Sequence, residues 1–399
     1  MPQRIVIIGA GIKGSILAAL LSLADADVTL VDRAQVGSGA TSTNHGRLHL
    51  GTSSWRTDPD PLIRRRLAAS ALMRSLPHVI SHSKDGLYCF ETEEDAGSFL
   101  AVCSRNGIPF RESSRHDVSS QWVTADDFAM TICLPEYSFD AAKLAGRFAA
   151  LAEHHGARLA LQENIREIHD ANREHLLDLS DGSKLRADLV INCGSRWSQD
   201  LIAQHAKVDL TVDWYTWRIL CARAESLPPL ERVTVIMDAA RNTPSALPHG
   251  DWITIDGRSK PELLKPCDEP ANYGWHPFDE SNDNERKLYE DASRYLAPLR
   301  SLGPAAIFSF AGVQGRVRGA PPGSTNTVYF GGADESYAIA FGGQASTAFL
   351  DALEITEAMG KRGWVKPISR SGLINSVLER LPINPVPMTS AMIWNRVSS

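Results

Sequence analysis

Ile5-Val6-Ile7-Ile8-Gly9-Ala10-Gly11-Ile12-Lys13-Gly14 is the stretch on which the fold reading turns. Four apolar residues in succession are the pattern of a parallel strand buried on both faces. Glycines follow at once with G-x-G-x-x-G spacing, and Ile16, Leu17, Leu20 and Leu21 then recur at helical intervals. The chain re-emerges as Val28-Thr29-Leu30-Val31-Asp32, so residues 4–32 predict strand, tight turn, helix and strand, a βαβ unit. Gly9 permits the turn, Gly11 lets backbone approach a pyrophosphate, and Gly14 lets the helix pack close to the strand. Ala10, Ile12 and Lys13 complete the loop, and the helix N-terminus faces the phosphates. Asp32, with Arg33 beside it, lies where a carboxylate accepts hydrogen bonds from an adenosine ribose. The motif leaves FAD and NAD both open.

The next segment bears on that choice. Gly37-Ser38-Gly39-Ala40-Thr41-Ser42-Thr43-Asn44-His45-Gly46-Arg47-Leu48-His49-Leu50-Gly51 is rich in small and hydroxylated residues. Such a loop can wrap around a long dinucleotide, whereas an ordinary NAD enzyme would run straight into its next helix.

Further along, Asp60 and Pro61 predict the start of a helix with Leu62, Leu67, Ala71 and Leu72 as its apolar positions. Its Arg64-Arg65-Arg66 run reads as a solvated face. Short, mixed segments fill Gly86 to Pro135, including Gly86-Leu87-Tyr88-Cys89-Phe90. Asp140 then caps a helix bearing Leu144, Phe148 and Leu151, which Gly156 ends. Leu159 to Leu161 is a strand, Leu176–Ser180 and Lys184–Arg186 form a hairpin about Asp181-Gly182, and Leu189 to Asn192 is a strand running into Cys193-Gly194. Residues 206–300 read as β-rich, with candidate strands at Arg218–Cys221 and Trp252–Ile255 and a polar loop between Pro261 and Asn284. A strand at Asn326–Phe330, a helix from Ala345 to Met359 and a short helix near Leu373–Leu381 close the chain.

These signals predict an α/β fold: a Rossmann-like nucleotide-binding domain with an inserted α+β substrate domain built on a mainly antiparallel sheet. The first is discontinuous over 1–86, 137–205 and 303–365, the second takes 87–136 and 206–302, and 366–399 is a C-terminal tail. With 399 residues, two packed domains are expected. A formal net charge of −6 argues against a nucleic-acid surface, which needs a basic excess. Cys89, Cys103, Cys133, Cys193, Cys221 and Cys267 are too widely spaced for a CxxC pair, so no metal site is expected and the thiols read as buried and reduced. That usage, the lack of a signal-peptide pattern after Met1 and the shortness of the apolar run Ile16–Ala24 predict a cytoplasmic protein without an integral membrane segment.

The sequence resembles the D-amino-acid oxidase (DAO) superfamily of FAD-dependent oxidoreductases, and within it the glycerol-3-phosphate dehydrogenase and L-2-hydroxyglutarate oxidase branch. Thr43 to Gly51 mirrors that branch's TGxNHGxLHxG-like run. Ser138-Phe139-Asp140 with its helix resembles the segment leading to an adenine-side strand, with Ile165 where a backbone contact to the adenine is expected. Ala187 to Gly194 with Trp197 is similar to an ADLVINAAGxW run, and Ala340-Phe341-Gly342-Gly343-Gln344-Ala345 to the closing flavin loop. The resemblance spans roughly residues 4–360 and implies a flavoprotein with FAD as cofactor. It assigns FAD contacts to Thr43, Asn44, His45, Gly46, Leu48, Ile165, Cys193, Gly194, Trp197, Gly342, Gly343 and Gln344, besides the Gly9–Gly14 turn, Asp32 and Arg33. A helix N-terminus behind the closing loop would stabilise the negative charge of reduced flavin.

Oxidation at a flavin needs the substrate C–H over N5 and an acceptor for the O–H or N–H proton. His49 is the candidate base, or alternatively a hydrogen-bond partner of the flavin. The superfamily's habit of covalent flavin attachment through a loop histidine makes His45 a candidate attachment point. The branch's arginine after its HxG run is replaced by Thr52-Ser53-Ser54-Trp55, and its AGVRP by Ala311-Gly312-Val313-Gln314-Gly315. Both changes remove charge suited to a phosphate and argue against glycerol 3-phosphate. Arg316 and Arg318 are candidates to grip a carboxylate, or are salt-bridged surface arginines. Tyr215, within Trp214–Arg218, and His249, within Pro248–Trp252, are candidates for a pocket roof. The expected reaction is oxidation of a CH–OH group of a small polar, anionic substrate, with oxygen or an electron carrier reoxidising the flavin. CH–NH oxidation of an amine or amino acid is the alternative, and a non-catalytic flavin-binding protein and an NAD-dependent dehydrogenase are the remaining ones.

Overall fold

The computed structural model describes residues 2–50, 55–56, 58–80, 84–113, 118, 121–124, 127–171, 174–195, 201, 212–238, 243–257, 262–263, 276–318, 326–331, 335–342 and 344–381. The opening βαβ unit forms as the sequence predicts: β1 (Arg4–Ile8), α1 (Ile12–Leu23) and β2 (Asp27–Asp32). β1 lies between β2 and β12 (Leu189–Asn192), parallel to both. β8 (Arg158–Leu161) extends the sheet beyond β2, and β21 (Tyr337–Gly342) and the antiparallel β20 (Asn326–Gly331) extend it beyond β12, giving the order β20-β21-β12-β1-β2-β8.

One face of this sheet packs Ile5, Ile7, Leu30 and Ile191 under α1, α4 (Ala141–His154) and α7 (Ala348–Lys361). Asp140 caps α4 by accepting from the Lys143 amide at 2.8 Å, as its sequence position predicts. On the opposite face, Val6, Val31, Val190 and Ile339 pack against a three-stranded antiparallel sheet of β9 (Ile165–Ala171), β10 (Glu174–Leu179) and β11 (Lys184–Ala187). The Asp181-Gly182 hairpin is therefore the third layer. Alternation of Leu177, Leu179 and Leu185 inward with polar residues outward is what lets a two-faced sheet sit there.

The second sheet is mainly antiparallel. Its path is β18 (His276–Pro277), β19 (Phe308–Val317), β13 (Val212–Arg223), β16 (Trp252–Asp256), β15 (Ser245–His249), β14 (Thr234–Met237), β4 (Gly86–Phe90), β6 (Met130–Leu134) and β5 (Arg111–Glu112), with β17 (Glu262–Leu263) pairing to β13. Only β14 and β4 run parallel among these pairs. Leu87, Cys133, Leu220, Ile236 and Ile253 face α5 (Asp283–Tyr295) and α6 (Ala297–Leu302) on one side. The residues between them in register, including Tyr88, Tyr215, Thr254 and His249, share the other side, which covers the first domain's loops. A short pair, β3 (Arg47–Leu48) with β7 (Tyr137–Ser138), joins the two halves.

Five sequence readings need correction. β19 lies in the second sheet, so the segment 303–365 is shared between the halves: its ten-residue strand completes a register with β13 that hydrophobic patterning alone does not reveal. In α2 (Asp60–Ser75) the buried face is Ile63, Arg66, Ala69, Ser70 and Met73, while Ala71 is exposed. Arg66 pairs with Asp58 at 2.5 Å and Arg65 reaches Glu354 and Asp351 on α7, so the triple-arginine run is not a plain solvated face. Helix α3 (Glu93–Asn106), within the region read as short mixed segments, is fixed by Thr92 at its N-cap and Gly107 in the left-handed region. Finally, α8 (Arg370–Arg380) docks Leu373 and Val377 into the first domain's core, so the tail is anchored as far as Leu381; residues 382–399 lie outside the described residues.

Helix α1 can approach β1 only because Gly14 has no side chain: a Cβ there would lie 1.9 Å from the Gly9 carbonyl oxygen. Gly14→Ala must push α1 off the sheet and is expected to lower stability by about 1–3 kcal/mol. Chemical denaturation followed by circular dichroism checks this, and an unchanged midpoint refutes the close-packing argument.

Candidate active site

The turn after β1 is built by contacts from three directions. Gly9, at φ +99°, lies so close to the turn after β12 that a Cβ would meet Cys193 and Gly194 backbone at 2.8 Å. Its amide donates to the Val31 carbonyl at 2.7 Å. Asp32 accepts from the amides of Ala10 (2.6 Å) and Ala34 (2.8 Å), so its carboxylate braces the turn. Burial pushes the Asp32 carboxyl up from its ordinary value, against the pull of those two amides and of Arg33. Each of its oxygens keeps a second lone pair, the capacity a ribose hydroxyl requires. Arg33 itself is exposed.

The wrapping segment then closes over the turn. Thr41, which the motif did not single out, accepts from the Ile12 amide at 2.9 Å, and the Gly37 amide donates to Ala10 at 2.8 Å. A Cβ on Gly11 would meet the Thr41 hydroxyl at 3.0 Å. Lys13 turns away from the loop's backbone toward Asp351 on α7, 3.8 Å off. That carboxylate is fully buried and also holds Arg65 at 3.0 Å and the Thr347 hydroxyl at 3.0 Å.

Beyond Thr43 the chain passes between the two sheets. Asn44 accepts from the Gly46 amide at 2.9 Å, and Gly46, at φ +79°, leaves no room for a side chain between Phe139 and His249. Arg47 is buried against Glu136, which is wholly inaccessible, and donates to the Tyr88 hydroxyl at 2.7 Å. Tyr88 in turn donates to Glu136 at 2.8 Å, and the Leu50 amide donates to the same carboxylate at 3.3 Å. A β3 residue, a β4 residue and the residue before β7 are thereby locked together. No local pattern could have paired Arg47 with Glu136 across that much chain; an arginine and a glutamate each flanked by strand residues were the only trace.

This lock places His45 and His49. Their Nε2 atoms lie 3.2 Å apart, with rings edge-on and centroids 5.2 Å apart. Nδ1 of His45 faces Asp256 of β16 at 3.5 Å, and the His45 carbonyl accepts from Thr254 at 3.1 Å. Both ring nitrogens of His45 thus have protein neighbours. Nδ1 of His49 is buried and has no hydrogen-bond partner. Burial, and then the charges of Arg47, His45 and Arg66, hold His49 well below the ordinary imidazole range. Burial likewise lowers His45, with Asp256 pulling the other way.

The remaining predicted residues fall into place unevenly. Cys193 and Gly194 abut Gly9, and Ile165 begins β9 in the third layer's core. Gln344 caps the turn Ala345–Thr347 that leads into α7, its amide donating to Thr347 at 3.3 Å, and this turn packs against β3. Gly342 ends β21; Gly343 and Trp197 lie outside the described residues. Tyr215 is half-buried on β13 with its ring 6.3 Å from that of Trp217. His249 is buried beside Gly46, and Thr43 nears Gly312 of β19. Arg316 pairs through its backbone with Asp213, whereas the exposed Arg318 is the salt-bridged surface arginine, joined to Asp213 at 2.6 Å.

Glycine turn, wrapping segment and closing turn therefore meet at the C-terminal ends of β1 and β12, where strand order reverses and α/β folds hold their ligands. The side-chain-free Gly9 and Gly11, the ribose-competent Asp32, and the buried, unpartnered Oγ of Ser346 fit an extended dinucleotide. Among the described residues no cluster could hold a metal, and no helix is long and apolar enough to cross a membrane.

Comparison with known proteins bears on the same region. The profile of the DAO family, described as FAD dependent oxidoreductase, matches residues 4–346. The anaerobic glycerol-3-phosphate dehydrogenase of Haloferax volcanii has one component that is 24% identical over 213 residues, 49% of this chain and 36% of that protein. Its counterpart in the Escherichia coli K12 enzyme of the same name is 25% identical over 219 residues, 51% of this chain and 39% of that protein. The chain thus spans little more than a third of the length of these curated relatives. Among solved structures, glycine oxidase from Geobacillus kaustophilus superposes with a TM-score of 0.69 at 18% identity, covering 92% of this chain and all of that one. L-α-glycerophosphate oxidase from Mycoplasma pneumoniae, crystallised with FAD bound, gives 0.68 at 14% identity over 90% of this chain and 95% of that one.

Two outcomes follow from the buried charges. Glu136→Gln strands the Arg47 guanidinium and is expected to cost about 3–5 kcal/mol, read as a lowered denaturant midpoint; Tyr88→Phe, which leaves the ion pair, should cost about 1 kcal/mol. For His49, the folded state stays neutral while the unfolded chain binds a proton below its ordinary pKa of about 6.5. Its contribution is complete above that pH and is lost as pH falls, with a slope of at most about 1.4 kcal/mol per pH unit. His49→Asn should flatten the acid limb of stability between about pH 6.5 and 5; an unchanged limb would show that His49 protonates freely in the fold.

Proposed function

The chain belongs to the DAO family of FAD-dependent oxidoreductases, an enzyme family whose cofactor is FAD, and on that premise we propose that it oxidises the CH–OH group of a small, polar, anionic substrate. When bound, FAD supplies the two-electron acceptor, taking hydride at N5. The observation that carries the reading is His49: a half-buried imidazole whose buried Nδ1 has no protein partner, in the loop between nucleotide turn and substrate sheet.

Each neighbouring group has a task in this reading. Burial, and then the charges of Arg47 and Arg66, hold the His49 imidazole below its ordinary range, which favours the unprotonated form that can accept a proton. The Arg47–Glu136–Tyr88 lock and the Leu50 amide bonded to it restrain the backbone on either side of His49. Tyr215 and His249 on the overlying sheet supply the roof that excludes water. Gly9–Gly14 and Asp32 hold the phosphates and adenosine, Thr43, Asn44, Gly46 and Leu48 line the flavin side, and Gln344 closes it. Arg316 is the proposed carboxylate grip; Arg318, committed to Asp213, is left out of the site.

Similarity of the Thr43–Gly51 run to the glycerol-3-phosphate branch supports CH–OH over CH–NH. Loss of the branch's arginines, at Thr52 and Gln314, favours a carboxylate over a phosphate. CH–NH oxidation is the second reading, supported by the fold likeness to glycine oxidase along the whole of that chain. Oxygen or a separate electron carrier is the proposed final acceptor.

Anaerobic mixing of the FAD-loaded protein with hydroxy acids, polyols, glycerol 3-phosphate and amino acids decides between these. A 2-hydroxy acid is expected to bleach the flavin band, and bleaching by amino acids alone would reverse the preference. With the effective substrate, His49→Asn should keep its FAD yet reduce it about 10²- to 10⁴-fold more slowly.

A further inference from the structure

The three groups Asp256, His45 and His49 lie in a line whose hydrogen placement the carboxylate at one end biases. An ionised carboxylate only accepts, so Asp256, 3.5 Å from Nδ1 of His45, favours the tautomer with hydrogen on that nitrogen. Nε2 of His45 is then bare and can only accept. The 3.2 Å contact between the two Nε2 atoms therefore requires the hydrogen on Nε2 of His49. That leaves Nδ1 of His49, buried and without a partner, as a lone pair. Other charged groups near the line are Arg47 and Glu136 at the β3–β7 junction and Arg66 on α2; none of them hydrogen-bonds either ring.

We propose that Asp256 is a positioning residue that, acting through His45, fixes the tautomer of His49 and gives the accepted proton a route outward. This rests on the reading of His49 as the base. As the substrate's O–H bond breaks and hydride leaves its carbon, the proton bonds to Nδ1 of His49. An imidazolium there would face Arg47 and Arg66, so the Nε2 proton of His49 passes to Nε2 of His45. The Nδ1 proton of His45 passes in turn to Asp256, which becomes a neutral acid. Both imidazoles end uncharged with their tautomers exchanged, and no charge is left between the arginines. The Asp256 side chain is 20% exposed, enough to release the proton to water. Sequence reading did not select Asp256, because only the pairing of β16 with β13 and β15 brings it over the loop.

The test is a long-range ¹H–¹⁵N correlation spectrum of the FAD-loaded, ¹⁵N-histidine-labelled full chain, with signals assigned through His45→Gln and His49→Asn. Hydrogen on Nδ1 of His45 and on Nε2 of His49 is expected. In Asp256→Asn the amide can donate to Nδ1 of His45, which reverses the line and puts hydrogen on Nδ1 of His49. The effective substrate of the screen above should then reduce the flavin about 10²-fold more slowly or worse, with the FAD spectrum and melting temperature retained. Hydrogen on Nδ1 of His49 in the unmodified protein, or tautomers unmoved by Asp256→Asn, overturns the inference. Should that variant fail to fold, the unmodified protein's spectrum decides alone. Because tautomers are read without substrate, failure of every hydroxy acid to bleach the flavin would sink the substrate reading and not this one.

Discussion

The buried pairing of Arg47 with Glu136 is the constraint that the arrangement of the two halves depends on. Taking both charges out of water is costly, and the structure offsets it with Tyr88 and the Leu50 amide as further partners. Because those partners come from a loop, a sheet strand and a short connecting strand, the pair can be satisfied in only one relative placement of the three. His45 and His49 lie on either side of Arg47 in sequence and inherit that placement.

A second constraint acts on the other side of the loop. The glycine turn is so tight that Gly9 touches the turn after β12, and α1 lies against the Gly9 carbonyl. Thr41 ties the wrapping segment to the α1 N-terminus, and the Asp32 carboxylate ties the turn to β2. The loop from Gly37 to Leu50 is therefore pinned at its beginning by small residues and at its end by a buried charge pair. Between the pins it presents backbone and two histidines to the crevice, which is how a segment with almost no secondary structure of its own acquires a fixed shape.

Electrostatics around the histidines follow from the same packing. Two arginines near His49 would repel an imidazolium, and burial removes the water that could screen them. A neutral imidazole is a competent proton acceptor but a poor resting place for a proton. A line of groups leads from His49 through His45 to Asp256, a partly exposed carboxylate at the end of β16.

Much of this was legible in the chain. The apolar run at Ile5–Ile8, the glycine spacing and the acidic residue ending the next strand depend on neighbours in sequence, so they determined the βαβ unit, as local signals did the cap at Asp140 and the hairpin at Asp181-Gly182. The helix Glu93–Asn106 was legible in the Thr92 cap, the helical spacing of Ala96, Phe99 and Cys103 and the Gly107 stop but was not read from them, and the buried face of α2 differed from the expected one because Arg66 is buried with Asp58. Placement of β19 in the second sheet, the partnership of Arg47 with Glu136, and the approach of Asp256 to His45 were decided only by tertiary structure. Local geometry is set by forces that act within a few residues. A buried charge or a neutralised histidine, in contrast, is defined by whatever the folded chain brings against it, and those groups here are separated by tens to hundreds of residues.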